Sequence, residues 1–189
     1  LDLLCWLFGR PAAVSAMICN RGHKHEVEDS AIANIRFASG ALANVQLSTF
    51  NHRLNYRQIT GTKGTILIED TIDANIQVPQ IFRLGLYDRP IPEIIAADSG
   101  ATGQPQPAWQ DIDCSAATST TLLESFINAC LDGGQPITDG TSARTTLELI
   151  NAILLSGVRQ KVVDFPIDRE EYDTLLDDLI SGKAQLPRL

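Results

Sequence analysis

Four polar side chains of four chemical types lie close together at one point of the sequence. Asn51, His52 and Arg53 directly follow a predicted strand, and Tyr56 comes three residues later. An amide, an imidazole, a guanidinium and a phenol can together orient a ligand that is rich in hydroxyl groups. The same residues also suit an ordinary polar loop. Two interpretations therefore stay open, a substrate-binding segment and a solvated turn.

A second group of ionisable residues lies between positions 23 and 29. His23 and His25 are separated by one residue and are followed by three carboxylates. An H-x-H pair on a strand places both rings on one side, as a pair of metal ligands requires. Lys24 stands between the two rings and the segment is polar throughout. We therefore interpret it as a solvated turn and predict no metal site.

Other familiar catalytic motifs are missing from the sequence. It contains no G-x-G-x-x-G, Walker or G-x-S-x-G pattern. Gly61 and Gly64 have predicted strands on both sides, so we expect a tight turn there and not a phosphate-binding loop. From the motifs alone, no complete active site is present.

Asp2 is a further candidate because it precedes Trp6 by one turn in a short apolar helix. Its carboxylate either complements the dipole of a nearby helix or points into a site supplied by residues upstream of Leu1. This opening helix has no start signal, and we expect that residues are missing in front of it.

Composition and charge restrict the class of protein. The chain has 189 residues, of which 44% are hydrophobic and 20% charged, as in folded globular domains. Its net charge of −8 argues against nucleic acid and anionic membranes as partners. From the apolar runs in the sequence we expect neither a secretory signal nor a membrane span. The four cysteines form no C-x-x-C pair, which favours free thiols in the cytoplasm.

The strand patterns occupy the first half of the chain. Residues 27–50 predict a hairpin that turns at positions 38–40, and residues 56–69 predict a second one that turns at 61–64. On the first hairpin, one face carries Asp29 with apolar residues, whereas the other is mostly uncharged. A solvated face usually carries more charge, so we expect it to be covered by a second copy of the chain, with an open neutral face as the alternative.

The rest of the chain is expected to be irregular and then helical. Residues 88–117 contain four prolines and predict a long loop excursion. Helices are predicted from a capping box at Thr121 to Glu124, from about residue 142 to 156, and after Asp168. The sequence thus predicts an α+β fold in which an open, mainly antiparallel sheet carries helices on one face, as a single domain over residues 1–189.

Five segments in order resemble the C-terminal domain of the Gfo/Idh/MocA family of nicotinamide-dependent oxidoreductases. They are LDLLCWLFG at 1–9, VED at 27–29, FASGA at 37–41, ITGTKG at 59–64 and LELINAI at 147–153. The resemblance implies a parent protein that oxidises a sugar, a polyol or a related hydroxy compound with NAD or NADP. It further implies that the cofactor binds in an N-terminal Rossmann domain, which this chain lacks, and that homo-oligomers form through the open sheet.

The resemblance also assigns roles to residues of this sequence. Asp2 matches the Asp of the family's H-x-x-D segment, whose catalytic His would lie two positions upstream of Leu1; Asp2 would then be an auxiliary catalytic residue. Asn51, His52, Arg53 and Tyr56 match a region of substrate contacts. We expect the chain to be a substrate-binding and oligomerisation fragment that binds no cofactor and is inactive alone. The alternatives are a stand-alone dimerisation or ligand-binding module and a non-catalytic regulatory member.

Overall fold

The computed structural model describes residues 1–50, 54–71, 81–97, 105–115 and 121–187, which form two compact units. The first unit contains residues 1–50 and 121–187, and the second contains the other described residues. In chain order the elements are α1 (Asp2–Phe8), β1 (Pro11–Cys19), β2 (Ser30–Phe37), β3 (Leu42–Ser48), β4 (Leu54–Gly61), β5 (Gly64–Thr71), β6 (Ile81–Leu86), α2 (Ile91–Ala97), β7 (Ala108–Asp111), α3 (Leu122–Asp132), α4 (Gly140–Arg159), β8 (Val163–Asp164) and α5 (Arg169–Ile180). The predicted α+β class with antiparallel pairing is confirmed.

The sheet of the first unit has the strand order β3-β2-β1-β8, with all neighbours antiparallel. The predicted hairpin is present as β2 and β3, and Gly40 in its turn takes a φ of 89°, which suits glycine. Asn34 lies opposite Asn44, and the Asn44 side-chain amide donates a hydrogen bond of 2.9 Å to the Asn34 side-chain oxygen. Asn34 and Asn44 thus share the outward face of the hairpin, as the alternation of the sequence predicts.

The core of the first unit lies between this sheet and α4. Along β2 every second side chain is buried, because a strand turns alternate residues to opposite faces. Helix α4 packs across β1 with its buried stripe. The core comprises Val14, Ile18, Ala33, Ile35, Phe37, Leu149, Ala152, Ile153, Leu155, Val163 and Leu175. A Cβ on Gly157 would lie 2.7 Å from Ile18, so glycine permits the close approach of α4 to β1.

Side chains cap the start of each long helix. Thr121 and Glu124 form the predicted capping box of α3. The Asp139 carboxylate accepts a hydrogen bond of 2.8 Å from the Ser142 backbone N–H at the start of α4. Asp168 does the same for two N–H groups of α5. These caps satisfy donors that have no partner within their own helix.

The second unit is a four-stranded antiparallel sheet of order β4-β5-β6-β7. The predicted turn at 61–64 joins β4 to β5, and a side chain at Gly64 would collide with the carbonyl oxygen of Gly85. Two findings differ from the sequence pattern. The strands form two sheets where one was predicted, and residues 91–97 of the predicted excursion form a helix. Pro92 is compatible with that helix because a first turn needs no donor there.

Among the helices that the structure describes, none combines the length and the hydropathy that a membrane crossing requires. The four cysteines are free thiols, as predicted.

Candidate functional site

Asp2 is the first residue of α1, and its carboxylate is held against α4. Its Oδ1 accepts a hydrogen bond of 3.0 Å from the Thr146 hydroxyl. Cys5 follows within α1, and burial raises the pKa of its thiol. The thiol therefore stays protonated near neutral pH. Sequence reasoning selects Asp2 but misses Thr146, whose position 144 residues away gives no local signal.

Tyr56 lies on β4 with 57% of its surface exposed, and its hydroxyl donates a hydrogen bond of 2.9 Å to the Gln58 side chain. Gln58 in turn contacts the Thr60 hydroxyl at 3.4 Å. Residues two apart on a strand share a face, so these side chains form one polar row. Such a row offers a phenol and an amide to a hydroxylated ligand. Tyr56 is thus placed where a ligand can reach it.

The other three predicted contact residues, Asn51, His52 and Arg53, lie outside the described residues. Asp2 belongs to the first unit and Tyr56 to the second, so each is described within its own unit. The assignment of all five as site residues remains a prediction.

The connection between β1 and β2 is organised by a buried carboxylate. Asp29 is 2% exposed and accepts hydrogen bonds from the backbone N–H groups of Arg21 at 3.0 Å, Gly22 at 2.6 Å and His23 at 2.9 Å. Burial alone would raise the pKa of the Asp29 carboxyl, but these donors and the His23 ring together hold it below its ordinary value. Asp29 is therefore a carboxylate at neutral pH.

Asn20 supports the same connection from the other side. Its side-chain amide is buried and donates hydrogen bonds to the carbonyl oxygens of His25, at 2.7 Å, and Val27, at 2.5 Å. Its backbone N–H donates to the carbonyl oxygen of Pro187 at 3.1 Å. The segment predicted as a solvated turn is therefore anchored by two buried polar residues.

The outward face of the first sheet carries exposed apolar side chains. Met17 is 80% exposed, Leu42 78% and Ile32 49%, and they lie on three neighbouring strands. A shallow groove of about 620 Å³ runs over this face between Leu42 and Val162. Arg36 is its one charged lining residue, at 3.9 Å from Asp164. This face matches the uncharged face expected from the sequence.

The sequence of the first part of the chain matches a known domain. Residues 1–67 match the family model described as the GFO/IDH/MocA C-terminal domain. Over these residues, the chain is similar to the Gfo/Idh/MocA C-terminal domain family. The match includes α1 with Asp2, the first sheet hairpin and the turn at 61–64. The match contains four of the five segments that carry the resemblance, which is thereby confirmed over residues 1–67.

Solved structures of dehydrogenases and oxidoreductases share the fold. The WlbA dehydrogenase from Bordetella pertussis, in complex with NADH and UDP-GlcNAcA, is 21% identical with a TM-score of 0.60, and the match covers 88% of this chain and 42% of that one. The WlbA dehydrogenase from Chromobacterium violaceum, in complex with the same two molecules, is 26% identical with a TM-score of 0.59, and the match covers 88% and 44%.

An aldose-aldose oxidoreductase from Caulobacter crescentus, complexed with glycerol, is similar in structure to this chain. It is 22% identical with a TM-score of 0.60, and the match covers 87% of this chain and 44% of that one. The chain thus spans less than half the length of these three structures. No curated protein matches the sequence.

Proposed function

We propose that this chain is the substrate-binding and oligomerisation part of an NAD(P)-dependent dehydrogenase that acts on a sugar, a polyol or a related hydroxy compound. The observation that carries the proposal is the family match over residues 1–67, which contain both Asp2 and the segment from Asn51 to Tyr56. The fold is shared with dehydrogenases solved with NADH and a nucleotide sugar, which supports the same class of reaction.

The residues of this chain do not fit the cofactor itself. A dinucleotide site needs a glycine-rich turn between a strand and a helix, and the sequence contains no such fingerprint. We therefore assign no residue here to the nicotinamide, and expect it to bind on another part of the parent protein. The roles left to this chain are to bind and orient the hydroxylated substrate and to hold the copies together.

Asp2 is proposed to act as a positioning residue that orients the catalytic histidine of the parent protein. Its hydrogen bond from Thr146 fixes the carboxylate at the start of α1. A carboxylate held there can orient a catalytic imidazole that lies three residues earlier in the parent chain, as a carboxylate does when it accepts a hydrogen bond from a catalytic histidine. Tyr56 and the residues from 51 to 53 are proposed to bind substrate hydroxyl groups.

The gene sequence upstream of Leu1 tests this proposal. We expect an open reading frame that encodes a G-x-G-x-x-G fingerprint and a His two positions before Leu1. The protein produced from it should reduce NAD or NADP with a sugar or polyol, measured by absorbance at the nicotinamide band. Asp2→Asn should lower kcat in that assay, whereas Thr141→Ala, an exposed α4 control, should not. A start codon directly before Leu1 would defeat the proposal.

The isolated chain gives a second test. We expect no fluorescence change of NADH when the chain is added, because its sequence lacks the fingerprint. Binding of NADH at sub-millimolar concentration would contradict the assignment of the cofactor to another part of the parent protein.

We further propose that two copies pair through the outward face of the first sheet. Large exposed apolar side chains on neighbouring strands, with little charge among them, are typical of subunit interfaces. Sedimentation velocity at micromolar concentration should show an oligomer, and Ile32→Glu should convert it to a monomer. Ile180→Glu is the matched control, because Ile180 is equally apolar but lies on α5. A monomeric wild-type chain would refute the pairing.

We also place the protein in the cytoplasm, since its four free cysteines suit a reducing compartment.

A further inference from the structure

Two imidazole rings lie parallel in the connection between β1 and β2. The ring centroids of His23 and His25 are 4.7 Å apart, and the ring planes differ by 14°. The Phe50 ring meets His23 edge-on at 6.2 Å. Both imidazoles remain open to solvent, with 40% of the His23 side chain exposed. The rings are therefore ordered on one side and accessible on the other.

The hydrogen bonds of His23 determine which of its ring nitrogens carries the proton. Its Nδ1 lies 3.3 Å from Oδ2 of Asp29. An ionised carboxylate can only accept, so Nδ1 of a neutral His23 must carry the hydrogen. The lone pair of Nε2 is then free, and no described residue donates to it.

The same assignment follows for His25 by counting donors. The Asn20 amide has two hydrogens, and the carbonyl oxygens of His25 and Val27 accept both. None is left for Nδ1 of His25, although that atom lies 3.1 Å from the amide nitrogen. Nδ1 must therefore donate its own hydrogen to the Val27 carbonyl oxygen, 3.0 Å away. Nε2 of His25 also presents a free lone pair.

We propose that His23 and His25 form a two-imidazole chelate for a divalent transition-metal ion such as Zn²⁺ or Ni²⁺. Metal-binding histidines usually donate their second ring N–H to a carboxylate or a carbonyl oxygen, which is the arrangement that Asp29 and Val27 provide. Neutral imidazole suits these ions. The local charge also favours a cation, because residues 23–29 contain three carboxylates and one ammonium.

The site supplies two protein ligands. Within the described part of the chain, no cluster of three or more His, Cys, Asp or Glu side chains could hold a metal ion. Water or a ligand would fill the other positions, which leaves the ion open on its outer side. Two ligand atoms that each lie about 2.1 Å from a tetrahedral ion are about 3.4 Å from each other. The nearly parallel rings have their centroids 4.7 Å apart, so the two rings need to tilt toward each other at their Nε2 edges to bind one ion. The proposed site lies within the segment that the sequence predicts to be a solvated turn.

Calorimetric titration of the intact chain with Zn²⁺ and with Ni²⁺ tests the proposal. We expect one site in the wild-type chain, and a loss of at least tenfold in affinity for His23→Gln and for His25→Gln. Cys130→Ser is the control, because Cys130 is an exposed metal-ligand side chain on α3 and its loss should leave the affinity unchanged. A variant that carries both His23→Gln and His25→Gln retains all four cysteines. Unchanged metal binding in this double variant would overturn the proposal.

A variant of the supporting carboxylate tests the role of the hydrogen bonds. Asp29→Asn keeps the size of the side chain but weakens its hold on His23, and we expect a tenfold to hundredfold loss of affinity. Circular dichroism shows whether each variant is folded. An affinity unchanged in folded Asp29→Asn would contradict the proposed support by Asp29. The metal titrations do not depend on dehydrogenase activity, so their outcome is separate from that of the proposed function.

Discussion

The hydroxyl group of Ser156 on α4 forms a hydrogen bond with the backbone of strand β1 beyond the point where β8 ends. Strand β8 pairs only with Ala13 and Val14 of β1. The Ala16 N–H, which is the next one along β1 on the side that faces β8, therefore has no partner in that strand. The Ser156 hydroxyl accepts a hydrogen bond of 2.9 Å from this N–H and donates one of 2.6 Å to the carbonyl oxygen of Lys161. Ser156 is fully buried, so water cannot replace it without rearrangement.

The substitution Ser156→Ala removes both hydrogen bonds at once. Leaving the Ala16 N–H, on a half-buried residue, without a partner costs about 1–3 kcal/mol. Leaving the Lys161 carbonyl oxygen, on an exposed residue, without its partner costs about 1 kcal/mol or less. The higher helix propensity of alanine returns about 0.5 kcal/mol. We therefore expect the free energy of unfolding to fall by about 2 kcal/mol, a factor of about 30 in the unfolding equilibrium.

Urea unfolding followed by far-UV circular dichroism measures this loss, and hydrogen exchange of the Ala16 amide reports it locally. Thr141→Ala, on the exposed first turn of the same helix, is the control and should change stability by less than about 0.5 kcal/mol. If Ser156→Ala is as stable as this control and the Ala16 amide stays protected, the reasoning is wrong.

Two further predictions concern the same unit. Gly157→Ala should lower the free energy of unfolding by about 1–3 kcal/mol despite its gain in helix propensity, because the new methyl group meets the Ile18 side chain. In a double-mutant cycle, Gly157→Ala should cost much less stability when Ile18 is already alanine. If the stability losses of the two substitutions simply add, the clash is excluded. The pKa of Asp29 is lower in the folded chain than in the unfolded chain, so the ionised Asp29 carboxylate stabilises the fold. This stabilisation is complete at a pH above the ordinary carboxyl pKa, and it is lost as the pH falls through the lower pKa of the folded chain. Urea midpoints measured from about pH 5 to pH 2 should therefore fall less steeply for Asp29→Asn than for the wild type, and parallel curves would contradict this.

The parts of the fold that depend on neighbouring residues could be predicted from the sequence. Alternation of apolar residues predicts which face of β2 is buried. The capping box at Thr121 is a local pattern of two side chains and one turn of backbone. Such features need no knowledge of the rest of the chain.

The supports of the candidate sites could not be predicted in the same way. Thr146 reaches Asp2, and Ser156 reaches Ala16, across 144 and 140 positions, so only the packing of α4 brings them together. One signal for the β1–β2 connection was present, however. Asp29 lies on the apolar face of a predicted strand, and a carboxylate on such a face must find hydrogen-bond donors when it is buried.

The separation between the first sheet and α4 along the chain has a consequence during synthesis. The apolar face of β1, β2 and β3 is complete once residue 48 has emerged, but the helix that covers it ends at residue 159. At a rate of about 5–20 residues per second, the ribosome needs about 5–20 s for the intervening stretch. For that time the nascent chain carries an uncovered apolar sheet, which is a binding surface for chaperones and a point of vulnerability to aggregation.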